Sequence, residues 1–262
     1  MVRAEPLRPP LRSPDPGPFD IIGDVHGCHE ELTSLLDRLG YRREGDAFLH
    51  PERRRAVFLG DLVNRGPSNV QVITTVAAMV RRGSALYTPG NQCQKLWRLL
   101  TGDRSDPKGA VLTTLAALDA LPSDERDAIA RAFIALYEVA PPYLILDGGR
   151  LVVAHAGIEA WMIGKVSDEI VRFVREGEVI GRTPEGRPIR RDWAASYRGE
   201  ALVVYGHTPQ PGPRFVNNTV NIDQGCVYGG SLTALRYPER ETVSVSSLRP
   251  YWPRIPAGPA GS

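Results

Sequence analysis

Short apolar runs alternate with amphipathic segments along most of this chain. Five of the runs are typical of buried strands, at 19–22, 56–59, 85–88, 151–154 and 201–205. After the first run, leucines at 32, 35, 36 and 39 recur at the spacing of one helical face. A second helix is predicted to begin after Ser68, which can cap it, and to end before Gly83. This alternation of strands and helices predicts an α/β domain.

The ends of the chain and one internal stretch lack this alternation. Prolines at 6, 9, 10, 14, 16 and 18 disfavour helix and sheet, so residues 1–18 are predicted to be a disordered arm. The tail, 248–262, is similarly rich in proline and glycine and is also predicted to be disordered. The folded domain is therefore expected to span residues 19–247. Within it, 176–192 is turn-rich and basic, which is typical of a surface excursion.

Two further segments complete the predicted fold. Residues 110–140 are rich in alanine and leucine and are predicted to be helical. Near the end of the domain, 231–237 and 242–247 are strand-like and resemble an antiparallel hairpin. A helical insertion and a closing hairpin are thus expected around the α/β core.

Each of the five predicted strands is followed at once by a possible metal ligand. In chain order the candidates are Asp24, His26, Asp61, Asn91, His155 and His207. Because parallel strands end at the same edge of a sheet, two carboxylates, one amide oxygen and three imidazoles are expected to converge there. Glycines next to these residues allow the backbone to turn sharply and approach closely.

This combination of ligands suits two divalent ions, and manganese is the first choice over iron, zinc or nickel. Two such ions can activate water and hold a phosphate for in-line attack. A single histidine after a strand is more often structural, and a single Gly-Asp pair is more often a turn. Five such sites, each directly after an apolar strand, favour the metal site over coincidence.

Composition narrows the setting of the protein. The chain has 262 residues, 42% of them hydrophobic, and a formal net charge of +2, which does not demand a nucleic-acid partner. Cys28, Cys93 and Cys226 are odd in number and lack metal-site spacing, so a reducing compartment is expected. No secretory leader and no apolar run of membrane-spanning length is present, which predicts a cytoplasmic protein without a membrane partner.

The residues around the candidate ligands resemble the signature motifs of a known family. These motifs are GDVHG, GDLVNRGP, GNQ, HAG and GHT. They resemble the calcineurin-like metallophosphoesterases, in the branch that contains the serine/threonine phosphoprotein phosphatases. From Phe19 to Val245 the chain is also similar to the phosphatase domain of bacterial polynucleotide kinase-phosphatase. The resemblance implies a β-sandwich of two mixed sheets flanked by helices, with a small helical cap over about 103–142.

The resemblance also implies a role for each motif residue. One metal site takes Asp24, His26 and Asp61. The other takes Asp61 again, together with Asn91, His155 and His207, so that Asp61 bridges the two ions. Arg65 corresponds to the arginine that holds phosphate oxygens, a task that suits its planar guanidinium.

Two positions depart from the family pattern. The family has a histidine after the metal-bound asparagine, as expected proton donor to the leaving group, and an aspartate that orients it. Gln92 and Asn64 occupy these positions. Neither amide can deliver a titrating proton, although the two could hydrogen-bond to each other. Natural divergence and deliberate substitution both remain open as explanations.

The resemblance predicts an enzyme that hydrolyses phosphomonoesters or cyclic phosphates. The expected substrates are 3′-phosphate or 2′,3′-cyclic phosphate ends of nucleotides or nucleic acids, RNA included. One alternative is a phosphoprotein or dinucleoside-polyphosphate phosphatase on the same core. Another is a catalytically weak, metal-containing module that binds RNA ends or a repair partner. The oligomeric state is left open.

Several basic residues could add substrate contacts. Lys95 could reach the substrate, but a solvated helix position explains it equally well. A nucleic-acid path could be lined by Arg182, Arg187, Arg190 and Arg191. A run of charges in a loop is more often only solvated.

Overall fold

Two β-sheets stacked face to face form the centre of the computed structural model, which describes residues 5–103, 105–184, 186 and 188–253. The strands are β1 Leu11–Arg12, β2 Phe19–Ile22, β3 Arg42–Glu44, β4 Ala47–Leu49, β5 Arg55–Phe58, β6 Ala85–Tyr87, β7 Leu144–Leu146, β8 Leu151–Val153, β9 Val179–Arg182, β10 Pro188–Arg190, β11 Leu202–Tyr205, β12 Arg214–Val216, β13 Thr219–Asn221, β14 Asp223–Gln224, β15 Ser231–Tyr237 and β16 Glu241–Ser246. The helices are α1 His29–Leu39, α2 Asn69–Arg81, α3 Asn91–Leu100, α4 Val111–Asp119, α5 Ser123–Val139 and α6 Asp168–Glu176.

Both large sheets are mixed, as the sequence predicts. In one, the strand order is β1-β7-β8-β11-β13-β12, and β8, β11 and β13 run parallel. In the other, β2, β5 and β6 run parallel, while β15 pairs antiparallel with β2 and carries β14 and β16. The expected closing hairpin is the β15–β16 pair. The α/β sandwich is therefore confirmed.

The core consists of three hydrophobic clusters, because the central strands are buried on both faces. All four residues of β2 are buried, as are all four of β11. Between the sheets, side chains such as Ile21, Val57 and Val204 form one cluster. The outer face of the β2 sheet packs on α1 to α5, and that of the β11 sheet packs on α6 and Trp193.

The predicted helices follow their sequence signals closely. The leucine face of α1 is buried, and Gly40, with φ of 96°, ends that helix in the left-handed conformation. The helical insertion consists of α4 and α5. Phe133 and Tyr137 of α5 are buried in the same cluster as α2, and Tyr137 stacks on Trp97 at 5.1 Å between ring centroids.

The prediction of disorder is wrong for residues 5–18. Leu11 and Arg12 pair in parallel with Leu144 and Ile145, at the sheet edge where a proline-rich segment is tolerated. Ahead of that strand, Glu5 accepts hydrogen bonds from Arg175 at 2.6 and 3.0 Å. The prolines exclude long regular structure, but they do not prevent this anchoring.

Part of the expected disordered tail is also ordered. The Leu248 amide donates to Glu31 at 3.0 Å and the Tyr251 hydroxyl donates to the same carboxylate at 2.9 Å. Residues 1–4 and 254–262 lie outside the described residues. Within the described part, no helix has the length and apolarity needed to cross a bilayer. The three cysteines are free and buried.

Candidate metal centre

The six predicted ligands lie at one edge of the stacked sheets, each a few residues past the end of a strand. The ligand atoms of Asp24, His26 and Asp61 lie within 4.8 Å of one another. Those of Asp61, His155 and His207 form a second group within the same limit. The structure therefore brings together the residues that the strand-edge argument singled out.

Asp61 belongs to both groups and faces each with a different oxygen. Its Oδ2 lies 3.6 Å from His26 Nε2, and its Oδ1 lies 3.7 Å from His155 Nε2. The backbone amide of Gln92 donates to Oδ1 at 2.8 Å and fixes the carboxylate. This is the geometry of a carboxylate placed between two cations.

The second group holds a fourth donor. His155 Nε2 lies 3.3 Å from Asn91 Oδ1 and 3.0 Å from His207 Nδ1. Asn91 is the first residue of α3, which directs its amide oxygen into the group. Two imidazole nitrogens and two oxygens thus surround one position, as a divalent ion of borderline character requires.

Backbone carbonyls orient two of the imidazoles. His26 Nδ1 donates to the Val63 carbonyl at 3.1 Å, and His155 Nδ1 donates to the Leu59 carbonyl at 3.1 Å. Each bond leaves the Nε2 lone pair directed at the ligand group, which is the usual arrangement around a metal-binding histidine.

Buried polar atoms without partners fit bound cations. Asp24 Oδ1 and His207 Nε2 are buried without a hydrogen-bond partner within the described protein. At the glycines next to these ligands, a larger residue would clash with the ligand side chains. A Cβ at Gly90 would lie 2.2 Å from Asp61 Oδ1, and one at Gly206 would lie 2.5 Å from Asp24 Oδ1. The donor set and its close surroundings fit two divalent ions.

The lowered pKa values of the three imidazoles agree with that fit. Burial, followed by the neighbouring carboxylates, holds the pKa of Asp24 well above its usual range. Burial and then Arg65 lower the pKa of His26 to about 3, and burial also lowers the pKa of His155 and His207. Burial raises the pKa of Asp61, but its histidine and arginine neighbours outweigh that effect and lower it to about 2. Neutral imidazoles among crowded carboxylates are the forms that bind metal.

Arg65 lies directly above the first group. Its backbone φ is 74°, as is that of Asn64, so two consecutive non-glycine residues adopt the left-handed conformation. The guanidinium contacts His26 and lies 5.6 Å from the centre of the Tyr228 ring. None of the ion pairs among the described residues includes Arg65. Its charge is therefore available to an anion at the centre.

The predicted hydrogen bond between the two exceptional amides is present. Asn64 Nδ2 donates to Gln92 Oε1 at 3.3 Å and to the Gln92 carbonyl at 3.1 Å. Thr114 of α4, which the sequence did not single out, donates to Asn64 Oδ1 at 2.7 Å. Asn64 is 0% and Gln92 3% exposed, so the pair is a fixed part of the site rather than a solvated remnant.

A third carboxylate was missed by sequence reasoning. Asp223 follows β13 at the same sheet edge and is buried. Its Oδ1 accepts from the Gly225 amide at 2.9 Å, and burial raises its pKa to about 6. The short strand TVN before it was too weak a signal to mark the residue.

The basic residues considered as a nucleic-acid path differ in their surroundings. Arg190 and Arg191 both line a cavity of about 270 Å³ together with His207, and Arg191 also pairs with Glu159 and Glu178. Arg182 is exposed and donates to the carbonyl of its own hairpin at 2.8 Å. Lys95 is exposed on α3. Arg187 lies outside the described residues.

Comparison with known proteins identifies the family. The model of the calcineurin-like phosphoesterases matches residues 17–231. The asymmetrical bis(5′-nucleosyl)-tetraphosphatase PrpE of Anoxybacillus flavithermus is 51% identical over 234 residues, covering 89% of this chain and 96% of that protein. PrpE of Bacillus subtilis is likewise 51% identical over 234 residues, which cover 89% of this chain and 96% of that protein. A serine/threonine phosphatase of Saccharomyces cerevisiae superposes with a TM-score of 0.58 at 13% identity, over 96% of this chain and 86% of that chain, and shares the fold.

These relatives correct the narrower resemblance. They are named as dinucleoside tetraphosphatases and not as polynucleotide kinase-phosphatase domains. They agree with the alternative substrate class better than with phosphate ends of nucleic acids. The broader prediction is confirmed: the chain belongs to the calcineurin-like phosphoesterase family, whose members carry a binuclear divalent-metal centre, and it is a metal-dependent phosphoesterase.

Proposed function

We propose that this protein hydrolyses dinucleoside polyphosphates by cutting a phosphoanhydride bond. The observation that carries the proposal is the buried Asn64–Gln92 amide pair, which occupies the positions of the family's expected proton donor and its orienting partner. Neither side chain carries a titratable proton. The site is therefore suited to a leaving group that departs without being protonated.

The chemistry of the leaving group separates the candidate substrates. A sugar hydroxyl leaves from a phosphomonoester as a strongly basic alkoxide, and a positioned proton donor contributes roughly 10²–10⁴-fold to such a step. A phosphate leaves from an anhydride as a far weaker base, because its second pKa is only about 6. A centre with amides at the donor position favours the anhydride and disfavours nucleic-acid 3′-phosphate ends.

The names of the relatives support the same substrate class. Two proteins that share 51% of their residues with this chain over 234 positions are named asymmetrical bis(5′-nucleosyl)-tetraphosphatases. We infer an asymmetrical cut here as well, which divides a dinucleoside tetraphosphate into a nucleoside triphosphate and a nucleoside monophosphate. The water adds to one phosphorus while the anhydride oxygen leaves with its electron pair.

The proposed reaction assigns metal binding and phosphate binding to different side chains. Asp24, His26 and Asp61 would hold one ion, and Asp61 would share the other with Asn91, His155 and His207. Bound divalent ions, for which manganese is our first choice, supply activation of water and neutralisation of phosphate charge. Arg65 would bind the oxygens of the attacked phosphate, where charge grows during the reaction.

Arg190 would hold the phosphates that follow along the chain. It lines the cavity beside His207, and its Nε donates to the Glu176 carbonyl at 2.6 Å. None of the ion pairs within the described part of the chain involves it, in contrast to Arg191 and Arg214, which pair with acidic residues. Its two remaining nitrogens can therefore serve a bound anion.

Turnover of three substrates tests the proposal. With saturating Mn²⁺, diadenosine tetraphosphate and an activated aryl phosphate should be cleaved well, and adenosine 3′-monophosphate poorly. Installing the family pair with Asn64→Asp and Gln92→His should raise the 3′-monophosphate rate by roughly 10²–10⁴-fold and the other two rates far less. Gln92→His alone should gain less, because its imidazole would lack the orienting carboxylate. Equal rates on diadenosine tetraphosphate and 3′-monophosphate for the unmodified protein would refute the proposal.

A further inference from the structure

A second cavity adjoins the one that contains His207. It has a volume of about 480 Å³, and its lining includes Trp161, Phe173 and Val179. Gly177 and Arg191 line both cavities, so the second cavity lies next to the one that contains the candidate ligand His207. A long substrate could therefore occupy both.

The two cavities carry opposite charge. The cavity beside His207 is lined by three arginines and one carboxylate, which are Arg190, Arg191, Arg214 and Asp192. The second cavity is lined by four glutamates and two arginines, which are Glu159, Glu169, Glu176, Glu178, Arg172 and Arg191. Phosphate groups suit the first cavity and are repelled from the second. The second cavity suits an uncharged group that donates hydrogen bonds.

Trp161 gives the second cavity a flat apolar wall. The indole is 52% exposed, although a side chain of this size is normally buried. Its Nε1 donates to Glu159 at 2.6 Å, and Lys165 Nζ lies 5.5 Å from the ring centroid. The residue lies in the turn Ala160–Met162, on the same loop as His155. Its position relative to the metal centre is thus fixed by a short connection.

We propose that this cavity binds the distal nucleoside of a dinucleoside polyphosphate, with its base stacked on Trp161. The inference rests on the proposed function and deepens it. A nucleoside is uncharged and flat, and its amino and ribose hydroxyl groups donate hydrogen bonds that the glutamates can accept. The oligophosphate chain would then lie along the arginine-lined cavity. Trp161 is thereby a specificity-determining residue that distinguishes dinucleoside polyphosphates from small phosphate esters.

Substitution of Trp161 tests the inference against a matched control. Stacking of one base on an aromatic side chain corresponds to roughly 5- to 150-fold in affinity. Trp161→Ala should therefore raise KM for diadenosine tetraphosphate within that range and leave kcat within about twofold, while Trp161→Phe should retain most of the affinity. Phe215→Ala removes an aromatic side chain that is 54% exposed and lines neither cavity, so it should change nothing.

Two further measurements separate the possible outcomes. An aryl phosphate is too small to reach the second cavity, so its KM should be the same in the unmodified protein and in Trp161→Ala. A non-hydrolysable dinucleoside tetraphosphate should quench tryptophan fluorescence in the unmodified protein, and Trp161→Ala should lose that quenching.

Turnover of diadenosine tetraphosphate with an unchanged KM in Trp161→Ala would overturn the inference alone. An equal rise of KM for the aryl phosphate would also overturn it, because the change would then act on the metal centre. If the unmodified protein cleaves aryl phosphate but not diadenosine tetraphosphate, the proposed function and the inference fail together.

Discussion

Two clusters of buried charge lie near the two ends of strand β2, and they use the same kinds of side chain differently. At the start of the strand, Asp20 is 0% exposed and receives a forked contact from Arg54. Nε lies 3.1 Å from Oδ2, and Nη2 lies 3.0 Å from Oδ1. Arg236 adds a third donor at 3.3 Å. Both carboxylate oxygens of Asp20 therefore accept hydrogen bonds from arginines of the same chain.

All three guanidinium nitrogens of Arg54 donate hydrogen bonds within the protein. Its Nη1 donates to Glu239 at 2.7 Å, and its Nη2 donates to the carbonyls of Phe19 and Tyr237 at 3.1 and 3.3 Å. A buried guanidinium with all its donors used is stable but has no capacity left for a ligand. We therefore assign this cluster a structural role.

Beyond the end of the same strand, the carboxylates are crowded instead of paired. Asp24 faces Asp61 and Asp223, which carry the same charge, and its Oδ1 has no hydrogen-bond partner in the described protein. Burial of a carboxylate thus does not by itself indicate a functional site, since Asp20 is the more deeply buried of the two. What distinguishes the candidate metal centre from the Asp20 cluster is that ligand atoms such as Asp24 Oδ1 have no hydrogen-bond partner in the described protein.

The largest effect is expected from Asp61→Asn. Both groups of ligands share this carboxylate, so the variant should lose bound metal and more than about 10³-fold in turnover, since the ions contribute several kcal/mol of charge stabilisation. The melting temperature of the metal-free protein should also fall somewhat, because the histidine and arginine neighbours that lower the pKa of Asp61 stabilise the charge that the substitution removes. Metal content by mass spectrometry, turnover and thermal unfolding check these three outcomes. Retention of two ions per chain would contradict the assignment.

Arg54→Ala should have the reverse profile. Removing Arg54 leaves the buried Asp20 with the single contact from Arg236, and breaking a buried pair in this way costs roughly 3–5 kcal/mol in the free energy of unfolding. Metal content and turnover of the folded protein should stay unchanged. Denaturant unfolding measures the loss, and the exposed Arg81→Ala should change stability by less than about 0.5 kcal/mol. A loss of metal without a loss of stability would mean that the two clusters are not independent.

Arg65→Ala should reduce turnover without affecting either metal or stability. The guanidinium forms no ion pair among the described residues, and in the metal-loaded protein the bound cations would compensate the buried carboxylates near it. The loss of one preorganised donor to the transition state is worth about 10²–10³-fold in kcat. Arg65→Lys should recover only part of this, because lysine cannot present a planar fork. Normal turnover by a metal-replete Arg65→Ala protein would remove Arg65 from the proposed phosphate site.

The residues that converge at the metal centre could be predicted because each signal is local. His155 and His207 each follow an apolar strand directly, and the common edge of parallel strands supplies the rest of the argument. The same reasoning failed for Asp223, since Val220 is the single apolar residue of the three in β13. Such a strand gives no apolar run in the sequence, whereas the ligand needs only the position of the strand end.

Contacts between distant parts of the chain could not be predicted in this way. Glu5 meets Arg175 across 170 positions, and Thr114 meets Asn64 across 50. The proposed role of Trp161 could not be predicted either, because it depends on the cavity that this residue lines in the folded chain. The substrate that the sequence favours differs from the one in the names of the relatives for a related reason. Motif similarity compares residues one at a time, whereas the Asn64–Gln92 pair bears on the leaving group only when its chemistry is considered as a unit.

The smallest expected effect sharpens the comparison within the structural cluster itself. Glu239 is the outer partner of Arg54 and is 39% exposed, whereas Asp20 is fully buried. Glu239→Gln should therefore cost only about 0.2–1 kcal/mol of unfolding free energy, the range of solvent-exposed ion pairs. The hydrogen bond from Arg54 lowers the pKa of Glu239 below 4.5. Stabilisation by an acid with a lowered pKa is present above its unfolded-state pKa and is lost as the pH falls through the folded-state value. The stability difference between the unmodified protein and Glu239→Gln should accordingly be constant near neutral pH and shrink as the pH falls below about 4.3, the ordinary pKa of glutamate, which denaturant unfolding at several pH values can measure. A difference as large as that of Arg54→Ala would show that the outer contact is as indispensable as the buried one, and the contrast between the two partners would be lost.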